Sequence, residues 1–374
     1  MDFLTMAKIK VLIVDDSALV RRVLTEILTS DEAIEVIGTA SDPHMAREKI
    51  KKLNPDVLTL DVEMPKMDGI SFLRNLMRLR PMPVIMVSSL TEEGADVTLK
   101  ALELGAIDFV QKPKVEIAQQ LEEYSVEIIA KIKMAALARV QKYVPGKEET
   151  NNEVSNNKLD IEKRYTTTTI LQRSAPIEVK GSEPLIAIGA STGGTEAIKE
   201  ILMHMPPDSP RMVIAQHIPL TFSAAFANRM DSVSQMVVKE ATDGQLLIPG
   251  HAFIAPGDQH LILVHEGDQY RCKLNHGPPV NRHRPSVDVL FRSVAQTAGK
   301  NAIGILLTGM GTDGARGLKE MQDAGASTIA QDEKTSVVWG MPGEAVKMGA
   351  ADHVLALDRI VGKIDYLLNK ENKH

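Results

Sequence analysis

Short apolar runs alternate with amphipathic stretches along both halves of the chain. In the first half, five runs, at residues 9–14, 35–40, 56–60, 83–87 and 106–110, have the length and composition of buried strands. The stretches between them, including 18–28, 43–53 and 69–79, repeat apolar residues at helical spacing. This alternation predicts a doubly wound parallel sheet, in which functional groups gather beyond the carboxyl ends of the strands.

The second half repeats the alternation after a polar interruption. A helical pattern over 115–140 closes the first domain, and residues 146–184 then lack any sustained apolar period. We expect a flexible linker there, with the threonine run 166–169 as solvated chain. Apolar strands at 185–188, 212–215 and 303–307 follow. The fold class is therefore α/β, with a first domain over 7–143, a linker over 144–183 and a second parallel-sheet domain over 184–370.

Composition narrows the functional classes. The 374 residues carry a net charge of −6, which argues against a nucleic-acid binder with a broad basic surface. The single cysteine, Cys272, precludes an intramolecular disulfide framework and fits a reducing compartment. No run approaches the roughly 18 apolar residues that a membrane span needs. We expect a cytoplasmic protein without direct membrane insertion and without a nucleic-acid partner.

Acidic residues follow two of the predicted strands of the first domain. Asp15 and Asp16 follow the first strand and Asp61 the third, while Ser88 and Lys112 follow the fourth and fifth. Three converging carboxylates favour a hard divalent cation such as Mg²⁺, and a carboxylate beside it can attack a phosphoryl group. The Lys112 ammonium and the metal would then neutralise the new charge, and the Ser88 hydroxyl would donate a hydrogen bond to it. The alternative is that these acids are helix N-caps and solvated loop residues.

These residues resemble the signature of two-component receiver domains. The likeness rests on Asp15-Asp16-Ser17, on the segment 61–69 and on Lys112-Pro113, and it covers roughly residues 8–130. It implies that Asp61 is the phosphoacceptor. It further implies a Mg²⁺ site made of three carboxylates and one backbone carbonyl, those of Asp15, Asp16, Asp61 and Glu63. It also implies three switch positions, Ser88, Phe109 and Lys112. The aromatic switch residue lacks the hydroxyl that many relatives carry.

The second domain presents three groups that could form a nucleophilic site. Ser191 lies in a G-x-S-x-G sequence after an apolar strand, His217 follows a second strand, and Asp313 follows a third. A histidine that removes the serine proton and a carboxylate that orients the histidine would make the hydroxyl a nucleophile. The glycines could instead cradle a phosphate, the histidine could be structural, and Asp313 could cap the next helix. The Met310 N–H is a candidate oxyanion donor.

This second domain resembles the catalytic domain of the chemotaxis methylesterase CheB family. The likeness rests on segments 189–196, 216–219, 283–291 and 307–314 and covers about residues 184–368. It implies a Rossmann-like fold beside the CheY-like receiver and a triad of Ser191, His217 and Asp313. It further implies supporting or substrate-contacting roles for the following residues: Thr192, His283, Arg284 and Met310.

The resemblance implies hydrolysis of glutamate γ-methyl esters on methyl-accepting chemotaxis receptors, deamidation of selected receptor glutamines, and no cofactor for the ester hydrolysis. It also implies activation through phosphorylation of Asp61 by the chemotaxis histidine kinase CheA, and we expect the unphosphorylated receiver to cover the catalytic crevice. The rival interpretations are a response regulator with a DNA-binding output, a nucleotide-binding scaffold that uses the glycine loop, and a non-enzymatic signalling scaffold.

Overall fold

The computed structural model describes residues 7–64, 69–89, 91–112, 118–138, 165–174, 184–267 and 269–371. The chain divides into two compact units, Met1–Val154 and Ser155–His374. Each unit is an α/β structure around its own sheet, as the alternation of apolar and amphipathic stretches predicted. None of the helices among the described residues has the length and hydropathy of a membrane span.

The first unit is a five-stranded sheet with strand order β2-β1-β3-β4-β5, in which every pair of neighbouring strands is parallel. The doubly wound topology is therefore confirmed. Its strands are β1 Ile9–Val14, β2 Ile34–Ala40, β3 Val57–Asp61, β4 Val84–Ser88 and β5 Asp108–Gln111. Its helices are α1 Ala18–Thr29, α2 Pro43–Leu53, α3 Gly69–Leu79, α4 Glu92–Glu103 and α5 Ala118–Ala135.

Local sequence signals explain where these elements begin and end. Asp42 caps α2 by accepting hydrogen bonds from two backbone N–H groups, and Pro43 occupies the first helical turn. The last strand, β5, begins two residues later than predicted. Gly105, at φ 102°, turns the chain after α4, and Ala106 and Ile107 are needed to reach the sheet. These boundaries bring Asp15, Asp61 and the residues after β4 to one edge of the sheet.

The second unit is a seven-stranded sheet with order β14-β13-β12-β6-β7-β9-β8, again parallel throughout. A separate antiparallel hairpin, β10-β11, packs against the helix Val287–Thr297. The strands are β6 Leu185–Ala190, β7 Arg211–Gln216, β8 Val237–Glu240, β9 His251–Ile254, β10 His260–Glu266, β11 Gln269–Asn275, β12 Ala302–Leu306, β13 Ser327–Gln331 and β14 His353–Leu355. The helices are α6 Thr167–Ile170, α7 Gly194–His204, α8 Leu220–Val233, α9 Val287–Thr297, α10 Ala315–Asp323, α11 Met341–Lys347 and α12 Leu357–Glu371.

Helix α9 is buried along almost its whole length and lies between β10 and α10. Glycines allow this close approach. A Cβ at Gly189 would overlap the Val287 side chain, and one at Gly317 would lie 2.7 Å from the Phe291 Cβ. The N-terminus of α9 is thereby fixed beside the carboxyl ends of β6 and β12, where the predicted serine and aspartate are found.

The expectation that residues 166–169 are solvated chain is confirmed for Thr166, Thr168 and Thr169, which are exposed, and is wrong for Thr167. Thr167–Ile170 form the short helix α6, Thr167 is 6% exposed, and the segment 165–174 packs on α9. The polar composition of this segment gave no sign of its docking, because its hydrogen bonds use backbone carbonyls and a threonine hydroxyl, and its apolar contact uses the single side chain of Ile170. The other residues of the predicted linker lie outside the described residues.

Candidate active site and receiver acidic site

The turn after β6 presents Ser191 above the sheet. Gly193 has φ 74°, a left-handed conformation that favours glycine, and α7 begins at the next residue. A Cβ at Gly194 would overlap the Gln216 side-chain oxygen, so the second glycine is needed for close packing. The Ser191 N–H donates to the Thr308 carbonyl at 3.0 Å, which ties the turn to the loop after β12.

His217 follows β7 and lies between the serine and the aspartate. Its Nδ1 is 3.1 Å from Ser191 Oγ, and its Nε2 is 2.8 Å from Asp313 Oδ2. A carboxylate only accepts hydrogen bonds, so the ring proton belongs on Nε2 and the Nδ1 lone pair faces the serine hydroxyl. Gln216, which sequence reasoning did not single out, donates from Nε2 to the carbonyls of Ser191 and His217 and holds the two segments together.

Asp313 is buried and accepts hydrogen bonds at both carboxylate oxygens. Oδ2 accepts from His217 and from the Val287 N–H at 2.7 Å. Oδ1 accepts from Asn281 Nδ2 at 2.7 Å and from the Ser286 hydroxyl at 2.8 Å, with the Asp288 N–H at 3.2 Å. The carboxylate therefore caps the N-terminus of α9 while it orients the histidine.

A second buried carboxylate reciprocates this arrangement. Asp288 Oδ1 accepts from the N–H groups of Gly314 and Gly317, at 3.0 and 2.7 Å, and so caps α10. The alternative that Asp313 caps its own following helix therefore does not describe the structure, since Asp288 fills that position. The two carboxylates share Asn281, whose Nδ2 also lies 2.7 Å from Asp288 Oδ2.

The two carboxylates differ in their electrostatic surroundings. Burial acts to raise the pKa of Asp313, but the hydrogen bond and charge of His217, together with His283 and Asn281, outweigh it and hold that pKa below its ordinary value. Burial and the neighbouring Asp313 charge raise the pKa of Asp288. Asp313 is thus the carboxylate that stays ionised beside the imidazole.

The residues that the resemblance assigned to supporting roles occupy different places. The His283 ring stacks on His217, with centroids 3.6 Å apart and an interplanar angle of 10°. Arg284 pairs instead with the Asp258 carboxylate and donates to the carbonyls of residues 276 and 277, so it braces that loop. Thr192 is buried, and its carbonyl accepts from Thr308 Oγ1.

Met310 follows a glycine that packs against the serine. A Cβ at Gly309 would lie 2.8 Å from the Ser191 Cβ, so a side chain there would push into the nucleophile. The Gly309 N–H donates to the Val338 carbonyl, and the Gly309 carbonyl accepts from the N–H groups of Gly340 and Met341. The loop is thereby held next to the serine. An oxyanion role for the Met310 N–H stays a prediction.

The first unit gathers three carboxylates at one edge of its sheet. Oxygen atoms of Asp15, Asp16 and Asp61 lie within 4.8 Å of one another, and Asp15 and Asp61 are buried. Within the described part of the chain, no hydrogen-bond donor reaches Asp15 Oδ2 or Asp61 Oδ2. Burial and the Asp61 charge raise the pKa of Asp15 to about 6. Buried, uncompensated carboxylate oxygens are the ligands that Mg²⁺ prefers, so the residues fit the ion.

Lys112 provides the positive charge at this site. Its Nζ is 2.8 Å from Asp61 Oδ1 and 4.0 Å from Asp15 Oδ2. Burial acts to lower the pKa of Lys112, but its hydrogen bond and ion pair with Asp61 raise it above the ordinary value. The Glu63 N–H also donates to Asp61 Oδ1, at 3.0 Å. With Oδ1 held by two donors, Oδ2 is the oxygen with lone pairs available.

The other two switch residues contact side chains of α4 and α5. Ser88 Oγ lies 2.8 Å from the hydroxyl of Thr98 on α4, a partner that sequence reasoning did not identify. Phe109 is buried, and its ring lies beneath the Lys131 ammonium, 5.3 Å from centroid to Nζ. The Glu63 carboxylate accepts from Ser89 Oγ at 2.7 Å, and a role for its carbonyl as a metal ligand stays a prediction.

The two sites define a class of protein. The second unit carries the serine, imidazole and carboxylate arrangement of a serine hydrolase, and the first carries an acidic pocket with a lysine suited to phosphorylation. The family described as CheB methylesterase matches residues 186–364, and the response regulator receiver domain matches residues 11–122.

Known relatives cover nearly the whole chain. A protein-glutamate methylesterase/protein-glutamine glutaminase from Hydrogenovibrio crunogenus is 57% identical, over 98% of this chain and 100% of its own. A protein-glutamate methylesterase/protein-glutamine glutaminase 1 from Geobacter metallireducens is 54% identical, over 93% of each chain. The chain belongs to this family of response-regulator methylesterases.

Two solved structures from Thermotoga maritima are also similar. The CheB methylesterase catalytic domain is 37% identical with a TM-score of 0.49, and it covers 50% of this chain and 99% of its own. The response regulator domain of CheB is 45% identical with a TM-score of 0.33, and it covers 35% of this chain and 98% of its own.

Proposed function

We propose that the protein is a cytoplasmic enzyme that hydrolyses glutamate γ-methyl esters on methyl-accepting chemotaxis receptors and deamidates selected receptor glutamines. The observation that carries this proposal is the continuous hydrogen-bond path from Ser191 Oγ through His217 to the buried Asp313. It supports a nucleophile rather than a phosphate-binding loop, because the hydroxyl is turned toward a base of the correct tautomer.

Ester hydrolysis proceeds in two stages. His217 Nδ1 takes the proton of Ser191 as Oγ attacks the ester carbonyl, and the protonated imidazole then gives that proton to the departing methoxide, which leaves as methanol. Water then attacks the acyl-enzyme with the same histidine as base. The bond between the acyl carbon and Ser191 Oγ breaks, the imidazolium returns its proton to Oγ, and the product is a glutamate carboxylate. General-base catalysis of this kind contributes about 10²–10⁴-fold. With a glutamine side chain, ammonia leaves in the first stage.

Asp313 stabilises the imidazolium that forms in each stage. Its ionised state follows from the hydrogen bonds that it accepts, and its geometry is set by α9, which contributes the Val287 N–H. The stacked His283 limits rotation of the His217 ring. We assign the developing oxyanion to the N–H of Met310, which follows Gly309, the residue packed against Ser191.

The receiver unit supplies control. Asp61 accepts a phosphoryl group from a histidine kinase, with the chemotaxis kinase CheA as the proposed phosphodonor. Mg²⁺, held by Asp15, Asp16 and Asp61 with the Glu63 carbonyl, would neutralise phosphate charge during transfer. The Lys112 ammonium is already 2.8 Å from the phosphoacceptor and stabilises the added negative charge. Phosphorylation is proposed to raise methylesterase activity.

The test is methanol release from methylated receptor, with and without a small-molecule phosphodonor and Mg²⁺. Wild-type protein should release methanol faster with the phosphodonor. Ser191→Ala should abolish release in both conditions, and Asp61→Asn should remove only the stimulation. Wild-type turnover by Ser191→Ala would show that another group carries out the hydrolysis.

A further inference from the structure

The segment 165–174, which we name the strap, lies within the predicted linker and yet is built into the methylesterase unit. Its short helix α6 packs on α9, the helix whose N-terminus is capped by Asp313. A chain segment that only joined two domains would need no specific partners here. The strap makes polar contacts with α9 and apolar contacts with the loop after β11, and both of these segments contribute residues to the site.

The polar anchor is a buried arginine. Arg292 on α9 is 5% exposed, and its Nη1 donates to Thr168 Oγ1 at 3.1 Å and to the Leu171 carbonyl at 3.0 Å. Its other nitrogens pair with both oxygens of Glu320, at 2.7 and 2.6 Å. A buried guanidinium needs most of its donors satisfied, and the strap provides two of the acceptors. Gln296, one turn further along α9, donates to the Gln172 carbonyl.

The apolar anchor is Ile170. Its side chain packs against a small buried cluster of Ile262, Val280 and Val289. Ile170 also packs tightly against Gly277, because a Cβ at that glycine would overlap the Ile170 Cδ1. Ile170 therefore touches the loop that begins after β11 and runs into the site.

This loop carries two groups that position the triad. Val280 forms a parallel bridge with Tyr165, and the next N–H, that of Asn281, points to the Tyr165 carbonyl at 3.4 Å. Asn281, held at φ 53°, places its Nδ2 2.7 Å from Asp313 Oδ1. Val280 also exchanges two backbone hydrogen bonds with His283, whose ring stacks on the catalytic imidazole.

We propose that the strap is a positioning element of the methylesterase site, acting through Val280 and Asn281. Its docking holds the loop so that the Asn281 amide keeps Asp313 in line with His217. Asn281 is a positioning residue, since it touches the carboxylate and not the substrate. The inference rests on the proposed function only for the identity of the substrate. The effect of the strap on the reactivity of Ser191 can be measured without that substrate.

The experiment compares variants in the full-length protein with two readouts. The first is methanol release from methylated receptor, and the second is the rate at which a serine-directed fluorophosphonate labels Ser191. Ile170→Ala should lower kcat and the labelling rate by about 10–100-fold with KM changed less than threefold, because displacing a catalytic group by about 1 Å costs up to roughly 10²-fold. Ile170→Leu should restore most of the rate, and Thr169→Ala, on the exposed side of the same helix, should have no effect.

A double-mutant cycle separates positioning from general loosening. In an Asn281→Ala background, Ile170→Ala should lower the labelling rate by less than threefold, because the connection to Asp313 has already been removed. If Ile170→Ala does not fold, Thr168→Val, which removes one hydrogen bond from Arg292, takes its place in the cycle with an expected loss of about threefold to tenfold.

Labelling of a folded Ile170→Ala or Thr168→Val protein within twofold of wild type would overturn the proposal. Equal losses with and without Asn281 would do the same. Wild-type protein that labels at Ser191 but releases no methanol would instead contradict the proposed function, and the labelling data would still decide the role of the strap.

Discussion

Replacing Asp313 with asparagine tests whether its charge or only its shape supports the site. The carboxylate accepts from His217 and Val287 at Oδ2, and from Asn281, Ser286 and the Asp288 N–H at Oδ1. An amide has one accepting oxygen and one donating nitrogen, so it can match only one of these two sets. The two possible orientations of the new side chain have different consequences for the histidine.

In one orientation the amide oxygen faces His217 and the NH₂ group faces Asn281 and the backbone N–H of Asp288. Two donors then lose their acceptor, while the Ser286 hydroxyl can turn to accept. In the other orientation the NH₂ group faces His217 and the Val287 N–H, and only the Val287 donor is stranded, because the imidazole can move its proton. Each buried donor without an acceptor costs about 1–3 kcal/mol, so the second orientation is favoured by roughly that amount.

That favoured orientation inactivates the base. The imidazole must accept from the amide at Nε2, which places its proton on Nδ1, the atom 3.1 Å from Ser191 Oγ. The serine then faces a donor and cannot lose its proton. We expect kcat to fall by roughly 10⁴-fold, the loss typical of a triad whose histidine holds the wrong tautomer.

The assay is methanol release from methylated receptor in the presence of phosphodonor, together with thermal unfolding of the same samples. Ser191→Ala is the matched control, because it removes the nucleophile and leaves the buried hydrogen bonds of Asp313 in place. Folded Asp313→Asn protein with kcat within tenfold of wild type would refute the reasoning and would show that the carboxylate charge and the tautomer matter little.

Three further predictions concern packing, the thiol and the receiver. Gly309→Ala should lower kcat for methanol release by about 10²-fold, because the new Cβ would lie 2.8 Å from the Cβ of Ser191. The control Gly362→Ala on α12, where a Cβ meets open space, should leave kcat unchanged. Burial raises the pKa of Cys272 to about 12, so only about 10⁻⁴ of the thiol is ionised at pH 8. Mass spectrometry should therefore show that iodoacetamide alkylates native protein at least ~10³-fold more slowly than urea-unfolded protein. Lys112→Ala should lower the phosphorylated fraction of Asp61 by about tenfold or more in a radiolabelled phosphodonor assay, because it removes a cation 2.8 Å from the phosphoacceptor; an undiminished fraction would contradict that role.

Much of the architecture was predictable because both sheets are parallel and their strands are short apolar runs. The carboxyl ends of such strands meet at one edge, so Ser191, His217 and Asp313 could be expected together from their positions after three runs. The same reasoning placed Asp15 and Asp61 near each other in the first unit. Both groupings follow from strand topology and need no knowledge of side-chain contacts.

The support of the site was not predictable in this way. Asn281 and Ser286 lie in the loop before the buried helix α9 and Asp288 lies in its first turn, and nothing in their spacing indicates that they converge on Asp313. Gln216 looks like an ordinary polar residue at the end of a strand, although its amide joins the serine and histidine backbones. Such roles depend on how α9 approaches the sheet, which is a tertiary property.

The reciprocal capping of α9 and α10 explains why two acidic residues can be buried together beside a catalytic base. Asp313 caps the helix that carries Asp288, and Asp288 caps the helix that follows Asp313. Each carboxylate is therefore stabilised by backbone N–H groups of the element that positions the other one. A shift of either helix would weaken both caps at once, so the orientation of the His217 partner is tied to the packing of the entire helix pair. The strap, which packs on α9 and contacts the loop that carries Asn281, therefore adds to the support of this same pair of carboxylates.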